Sequence, residues 1–455
     1  MKVLFPVHIY LPAHHAGVEL YTAQLASRLR PQVETAVVTT RKVISRETGH
    51  INKCSLNDVP LWEVVNNLCN DSIEDTWNHS RMEESFRQVV NEFQPDVVHF
   101  QHLMYWSANL AQIARESGAK VFCTLHDFWL MCSRMGQLVD PTGSLCDSPD
   151  RERCASCMSL TSYSQPESAK KWVKRLIKIR NLTRIPLDDP MRWAASLRGA
   201  NHSPAKKPET LPEATEPWLS MFDQRKAAFL DVANHVDQFI SPSSDLRRRF
   251  IDWGLPGDRF IHLPQGRDAS SFADCQQREA DGHVRFIFLG TIAPHKGVKE
   301  LIQAASGVTG KTWSLDVYGP YAQQREYWRE LELLAQDHKQ ITLHGPVDPS
   351  ALPGIFDRTD VLCVPSLWNE CCPLTIQEAF MAGVPVIASD LGGMKELVHD
   401  RVGGLRAQVG DIEDWRSKMQ SVVDEPELLQ SLRATIPQVP AITEHIDELL
   451  KIYRA

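Results

Sequence analysis

The sequence predicts an α/β protein of two doubly wound, Rossmann-like domains facing a cleft. Three observations predict it. Short apolar runs alternate with amphipathic helical patterns in both halves of the chain, the pattern of βαβ units and a parallel sheet. The rhythm is interrupted by a polar stretch at Pro264–Gly282 that has no strong periodicity. A length of 455 residues fits two or three domains at about 150 residues each.

The first run, Val3–Val7, reads as a buried strand. Val18, Tyr21, Thr22, Leu25, Ala26 and Leu29 then share one helical face. Ala36–Thr39, Asp96–Phe100 and Lys120–Leu125 supply further strands, and Val236–Ser241 and Phe260–Leu263 complete the first set. Between them, residues 130–235 are rich in Pro, Ser and charge and hold several short helical candidates, so they read as an insertion. In the second half, strands are expected at Val284–Leu289, Ser314–Tyr318, Ile341–Leu343, Val361–Val364 and Val384–Ala388. Ile442, Ile446, Leu449, Leu450 and Tyr453 recur at helical spacing and predict a docked terminal helix. The expected division is 1–265, 275–440 and the terminal helix 441–455.

Composition narrows the function. Hydrophobic residues make up 43% and charged residues 23%, enough apolar material for large cores. The formal net charge is -8, which argues against a nucleic-acid partner, since such proteins carry a basic excess. No uninterrupted apolar stretch reaches the ~18 residues of a spanning helix. Met1–Leu11 reads as a first strand and not as a signal peptide, because no small-residue cleavage site follows it. Eleven cysteines in a chain without an export signal favour reduced thiols or a metal site over a disulfide framework. A cytoplasmic location follows, with contact at the inner face of a membrane as a further expectation.

In doubly wound sheets ligands bind beyond the carboxyl ends of the strands, so the turns after strands carry the chemistry. The most informative segment is Val361–Gly393. After Pro365-Ser366 comes a loop with Glu370, then Cys371-Cys372-Pro373-Leu374-Thr375, then a helix with Glu378 near its start. Pro373 suits a helix start, where a missing N–H costs little. The amides of Leu374 and Thr375 would then favour an anion such as a diphosphate. Glu378 would reach ribose hydroxyls and Glu370 a sugar. Alternatively, Glu378 merely complements the helix dipole and Glu370 is solvated.

The segment resembles the retaining glycosyltransferases of family 4, of GT-B fold. The resemblance lies in two glutamates, Glu370 and Glu378, with seven residues between them, followed by Ala379, Gly383, Pro385, Val386 and Ile387, then Gly392-Gly393 and Glu396. Many members carry Phe-Gly where this chain has Cys372-Pro373. A second matching element is Gly290-Thr291-Ile292-Ala293-Pro294-His295-Lys296-Gly297, where the resemblance gives Lys296 the diphosphate. Members usually have arginine at the position of Thr291, so one expected cation is missing. The third is the turn Pro12–Glu19, in which Ala16-Gly17 replaces Gly-Gly and Gly17 would lie against the donor phosphate. The fourth is Thr124–Trp129, in which the resemblance makes His126 a residue near the donor sugar and acceptor. Imidazole donates hydrogen bonds and titrates near neutrality. His99 and His102 sit on a neighbouring strand end, either facing the site or structural.

The resemblance implies a nucleotide diphosphate sugar donor, a glycan or lipid-linked acceptor, and no cofactor for the chemistry. It covers residues 1–130 and about 230–455. Two other readings stay open, a non-catalytic nucleotide- or glycan-binding partner of the same fold and a nucleotide-sugar epimerase.

The insertion holds Cys132, Cys146, Cys154 and Cys157 among polar neighbours. Cysteines in such a loop suit tetrahedral metal ligation, and a structural zinc is expected. Plain thiols, an iron–sulfur centre and disulfides are the alternatives. Lys170–Arg180 is basic and amphipathic, with Trp172, Val173, Leu176 and Ile179 on one face. It suits an anionic membrane surface or packing on its own domain.

Overall fold

A computed structural model of the chain describes all residues except His15, 184–207, 276–280, Lys311 and 322–323. The strands are β1 (Lys2–Val7), β2 (Glu34–Arg41), β3 (Ile51–Leu56), β4 (Val59–Val65), β5 (Val97–Phe100), β6 (Lys120–Thr124), β7 (Gln238–Ser241) and β8 (Phe260–His262), then β9 (Val284–Leu289), β10 (Trp313–Tyr318), β11 (Ile341–Gly345), β12 (Val361–Val364), β13 (Val386–Ser389) and β14 (Gly404–Ala407). They form an eight-stranded sheet of order β3-β4-β2-β1-β5-β6-β7-β8 and a six-stranded sheet of order β11-β10-β9-β12-β13-β14. Every pairing is parallel except β3 with β4. The chain divides into two units, one of Met1–Pro242, Leu246–Leu263 and Ile446–Ala455, the other of Ser243–Asp245 and Pro264–His445.

In the first unit α1 (Gly17–Leu29), α2 (Ser80–Phe93) and α3 (Leu110–Glu116) connect the early strands. The inward face of α1 differs by one residue from expectation. Val18 is half-buried, and Glu19 is buried in its place. Its carboxylate turns toward His8, 3.7 Å away, so a charged residue occupies a position that hydrophobic periodicity assigns to an apolar one. The β3–β4 hairpin was not foreseen. Asn57 and Asp58 both adopt left-handed φ, at 50° and 62°, which matches the tight two-residue turn that joins antiparallel strands.

The insertion contains α4 (Arg151–Ser159), α5 (Glu167–Thr183) and α6 (Glu216–His235). The last runs to 20 residues, longer than the short helices expected. The stretch 184–207 of the insertion lies outside the described residues. The unit resumes within α7 (Ser244–Trp253), from Leu246 on.

The second unit alternates strand and helix with α8 (Val298–Ala305), α9 (Arg325–Ala335), α10 (Leu352–Phe356), α11 (Leu374–Met381), α12 (Gly392–Leu397), α13 (Ile412–Asp424) and α14 (Pro426–Ala434). Its sheet is covered on both faces, as parallel sheets are. Phe286, Phe288, Leu315, Val317, Val361 and Cys363 enter one core. Their neighbours Ile287, Leu362 and Val364 enter the other. Each fully buried Phe or Leu side chain contributes about 1.5–3 kcal/mol relative to exposure. The terminal helix α15 (Ile442–Arg454) ends with Tyr453 buried in the first unit, its hydroxyl 2.6 Å from His99 Nδ1.

Candidate donor site

Strand order in the six-stranded sheet reverses between β9 and β12, and ligands of doubly wound sheets bind at such a reversal. The loops after these two strands carry the residues singled out from sequence. Lys296 ends a short 3-10 turn after β9. Its Nζ lies 2.5 Å from Glu370 Oε1, which follows β12. The same oxygen accepts hydrogen bonds from Ser366 Oγ at 2.8 Å and Trp368 Nε1 at 2.9 Å. The Lys296 ammonium also lies 5.0 Å from the centre of the Trp368 ring. Burial pushes the Glu370 carboxyl up, but Lys296, Trp368 and Ser366 outweigh it and hold it below its ordinary value. Glu370 is therefore a fixed carboxylate and not a solvated one.

Two glycines make this approach of loops possible. Gly297 has φ 70°, and a Cβ there would sit 2.0 Å from the Pro365 carbonyl. A Cβ on Gly393 would sit 2.0 Å from the Cys371 carbonyl, and the Gly393 amide donates to Glu370 O at 2.7 Å. Side chains at either position would force the Glu370 loop away from Lys296.

Pro373 is the N-cap of α11 and not its first helical residue, with φ -63° and ψ 116°. Its carbonyl accepts from Ile376 N at 3.2 Å. Leu374 and Thr375 open the helix, at the positions whose amides have no intrahelical acceptor. Glu378, on the next turn, is buried, and its Oε1 accepts from Arg267 Nη2 at 2.8 Å. Burial raises the Glu378 carboxyl, and Arg267 offsets part of that rise. Lys296, Glu370, Pro373, Leu374, Thr375 and Glu378 all belong to the second unit.

Arg267 was missed by sequence reasoning, because it falls in the polar stretch taken as the break between halves. Its backbone is pinned instead. Arg267 N donates to Pro440 O at 2.9 Å, and its carbonyl accepts from Ile442 N at 2.9 Å. The signal available was Gly266. A Cβ there would lie 2.5 Å from His445 Cβ, a close approach that marks packed chain.

In the first unit, Gly17 opens α1 after the β1 turn. Strand order reverses between β1 and β5, and imidazoles gather at those strand ends. His126 is half-buried, with Nε2 3.0 Å from Gln101 Oε1 and its ring edge-on to Tyr21. The amide oxygen is an acceptor, so Nε2 carries the proton. Burial, then His102, push the His126 imidazole down to about 3. It is neutral at physiological pH, which corrects the expectation that it titrates near neutrality. His102 donates from Nε2 to Asp127 Oδ2 at 2.9 Å, and its ring lies 4.3 Å from that of His8. His99 is wholly buried between Tyr453 and Thr124 and is structural. His8, Gln101 and Asp127 were not singled out from sequence. Their signal was position, each within three residues of a strand end.

Cys132, Cys146, Cys154 and Cys157 do converge, lining one cavity of about 20 Å³ with Met131, Met158 and Arg225. Burial raises the thiols of Cys146 and Cys157 to about 11 and that of Cys154 to about 12. Among the described residues, however, no group of three or more His, Cys, Asp or Glu side chains is placed to hold a metal ion. With burial raising them, the protonated thiols pack here as small, weakly polar groups.

Within α5, Val173 and Leu176 are buried while Trp172 is 60% and Ile179 47% exposed. The proposed apolar face is thus split, half packed on its own unit and half turned outward. Lys170 donates to Asn70 O and Arg180 to Ser45 Oγ, each at 2.6 Å, so both ends of the basic run are tied down. Among the described residues, no helix is long and apolar enough to cross a membrane.

Comparison with known proteins fits this architecture. The model of the glycosyl transferase 4-like domain matches residues 16–161, and that of the group 1 glycosyl transferases matches residues 273–439. The chain is built from two glycosyltransferase-family domains. A D-inositol 3-phosphate glycosyltransferase of Rhodococcus erythropolis is 31% identical over 47% of this chain and 47% of its own. A phosphatidyl-myo-inositol mannosyltransferase of Mycolicibacterium smegmatis is 27% identical over 41% of this chain and 48% of its own. The chain thus spans about half of the length of these curated relatives. Anabaena HepE in complex with UDP superposes with a TM-score of 0.63 at 13% identity, covering 100% of both chains. Sucrose-phosphate synthase of Thermosynechococcus elongatus gives 0.65 at 15% identity, covering 100% of this chain and 98% of its own. The fold is therefore that of GT-B proteins.

Proposed function

We propose that the chain transfers a hexosyl group from a nucleotide diphosphate sugar to a glycan or lipid-linked acceptor, with retention of anomeric configuration. The observation that carries this reading is the fixed Lys296–Glu370 pair at the β9–β12 reversal, in the same unit as the α11 N-terminus and Glu378. As the sugar becomes oxocarbenium-like, negative charge gathers on the leaving diphosphate. The amides of Leu374 and Thr375 with Lys296 meet that charge without reorganising, so the reading needs no cofactor for the chemistry. Glu370 orients the donor sugar and Glu378 the ribose. In the first unit, Gly17 lets backbone approach the donor, and the Gln101-bound, uncharged His126 positions sugar or acceptor. UDP in HepE and the lipid-linked acceptor in the name of the mannosyltransferase relative support the donor and acceptor classes.

The test is a panel of UDP-, GDP- and ADP-sugars, first for thermal stabilisation, since a ligand of the native state raises its melting point, then for transfer. Binding without turnover of any donor would favour the non-catalytic alternative. A changed sugar from donor alone, with no transfer, would favour the epimerase. No stabilisation by any nucleotide sugar would sink the reading.

A further inference from the structure

Two nitrogens of Arg267 have no use in the structure. The side chain is buried, with 7% of its surface exposed, and Nη2 alone is satisfied, by Glu378. Nε and Nη1 are both buried without a hydrogen-bond partner. A guanidinium carries five N–H donors in a rigid fork, and native structures rarely leave such donors unpaired without a functional reason. The place of the guanidinium is informative. It contacts a carboxylate on the second turn of α11, and its charge acts on the thiol of Cys372, two residues before the helix begins. Its contact with Glu378 places it about one helical turn from the Leu374 and Thr375 amides.

The charge balance of the pocket points the same way. Lys296 is already engaged by Glu370, so its charge is partly offset before any ligand arrives. A diphosphate needs further positive charge, and position 291, beside Gly290, holds an uncharged threonine. We propose that Arg267 is a second cation of the donor pocket. While Nη2 keeps Glu378 in place, Nε and Nη1 take oxygens of the nucleotide's diphosphate. The pinned backbone at Pro440 and Ile442 and the side-chain-free Gly266 fix the fork in advance, which lowers the ordering cost of binding. This inference rests on the reading of the site as a nucleotide-sugar pocket.

The experiment measures the affinity of the full chain for UDP, ADP and GDP and for the matching nucleosides, and compares the advantage of diphosphate over nucleoside. In Arg267→Ala that advantage should fall at least tenfold. In Arg267→Lys, whose single ammonium lacks the planar fork, it should fall about fivefold. Arg267→Ala also leaves Glu378 uncompensated, so Arg267→Ala/Glu378→Gln separates the roles. The diphosphate advantage should stay low in the double variant; its return to the wild-type value would overturn the proposal. So would a folded Arg267→Lys protein with unchanged diphosphate affinity, which decides the matter should the alanine variant not fold. If wild type binds no nucleoside diphosphate, this inference falls together with the proposed function. If wild type binds one and the variants bind it equally, this inference alone falls.

Discussion

At the reversal of its parallel sheet, the first unit presents imidazoles and an amide, His8, Gln101, His102 and His126, with the carboxylate of Asp127 held by His102 and that of Glu19 3.7 Å from His8. At the corresponding reversal the second unit and its neighbouring turns present two cation–carboxylate pairs, Lys296 with Glu370 and Arg267 with Glu378. Burial favours the neutral form in both, but only the second unit sets a cation against it at each site. In the first unit it drives His8 and His126 to the neutral form. In the second, a cation beside each glutamate opposes the rise that burial imposes. One doubly wound plan thus yields a surface dominated by uncharged imidazoles and one dominated by cation–carboxylate pairs. The ionised surface suits a diphosphate, whose charge must be met in place. The neutral one suits hydroxyl groups.

If that division is right, the largest effects lie in the second unit. Lys296→Ala or Glu370→Ala should lower kcat about 10²–10³-fold, with circular dichroism confirming that the variants fold. Wild-type rates in both would break the comparison outright. Next comes His126→Ala. Loss of one uncharged hydrogen bond, about 1–1.5 kcal/mol, should slow transfer about tenfold. The loss should be insensitive to salt, whereas the Lys296→Ala loss should shrink as salt screens the pocket. A His126→Ala effect as large and as salt-dependent as that of Lys296→Ala would erase the distinction between the two surfaces.

Part of this division was legible in the sequence. Glu370, Glu378 and Lys296 follow strands in a spacing that carries its own chemistry, and the structure brings them into one unit. The two sheets were legible because parallel strands buried on both faces read as apolar runs. Arg267 was not, because its role arises from a contact across 111 residues, to Glu378, that no local period records. The β3–β4 hairpin was missed for another reason. Its β3 strand is largely exposed, so only the Asn57-Asp58 turn marked it. The four cysteines show the limit from the other side. Their meeting in one pocket was foreseen, but whether sulfurs meet as ligands or as packed thiols depends on distances and burial that spacing does not encode.

Acid should sharpen the comparison through stability. The unfolded His126 imidazole takes up a proton near its ordinary 6.5, whereas the folded one resists until about 3. Between those values the unfolded state binds more protons, so stability falls as pH drops below about 6.5, and the loss is complete below about 3. His445, lowered to about 4 by burial despite its bond to Pro264 O, adds to the loss over a narrower range. His126→Gln should therefore flatten the fall in Tm between pH 6 and pH 4 relative to wild type. Parallel melting curves for the two proteins across that range would show that His126 is not held neutral by the fold.

The smallest effect on solution turnover belongs to α5, which takes no part in either surface. Trp172, Ile179 and Leu182 are 60%, 47% and 84% exposed and recur at helical spacing, with exposed Lys171, Lys174, Arg175 and Lys178 around them. Each such cation near an anionic lipid surface is worth about 1 kcal/mol, and the three apolar side chains can enter the interface. The full chain should sediment with phosphatidylglycerol-containing vesicles and not with pure phosphatidylcholine, and the fluorescence emission should shift to the blue. Trp172→Glu/Leu182→Glu should abolish sedimentation. The same variant should leave donor binding and turnover on a soluble acceptor unchanged, because the cations of α5 that the fold already uses, Lys170 and Arg180, are untouched. Equal sedimentation with both vesicle types would remove the electrostatic basis for a membrane contact. A loss of donor binding in the variant would show instead that α5 supports the site, and that the two surfaces are not independent of the insertion.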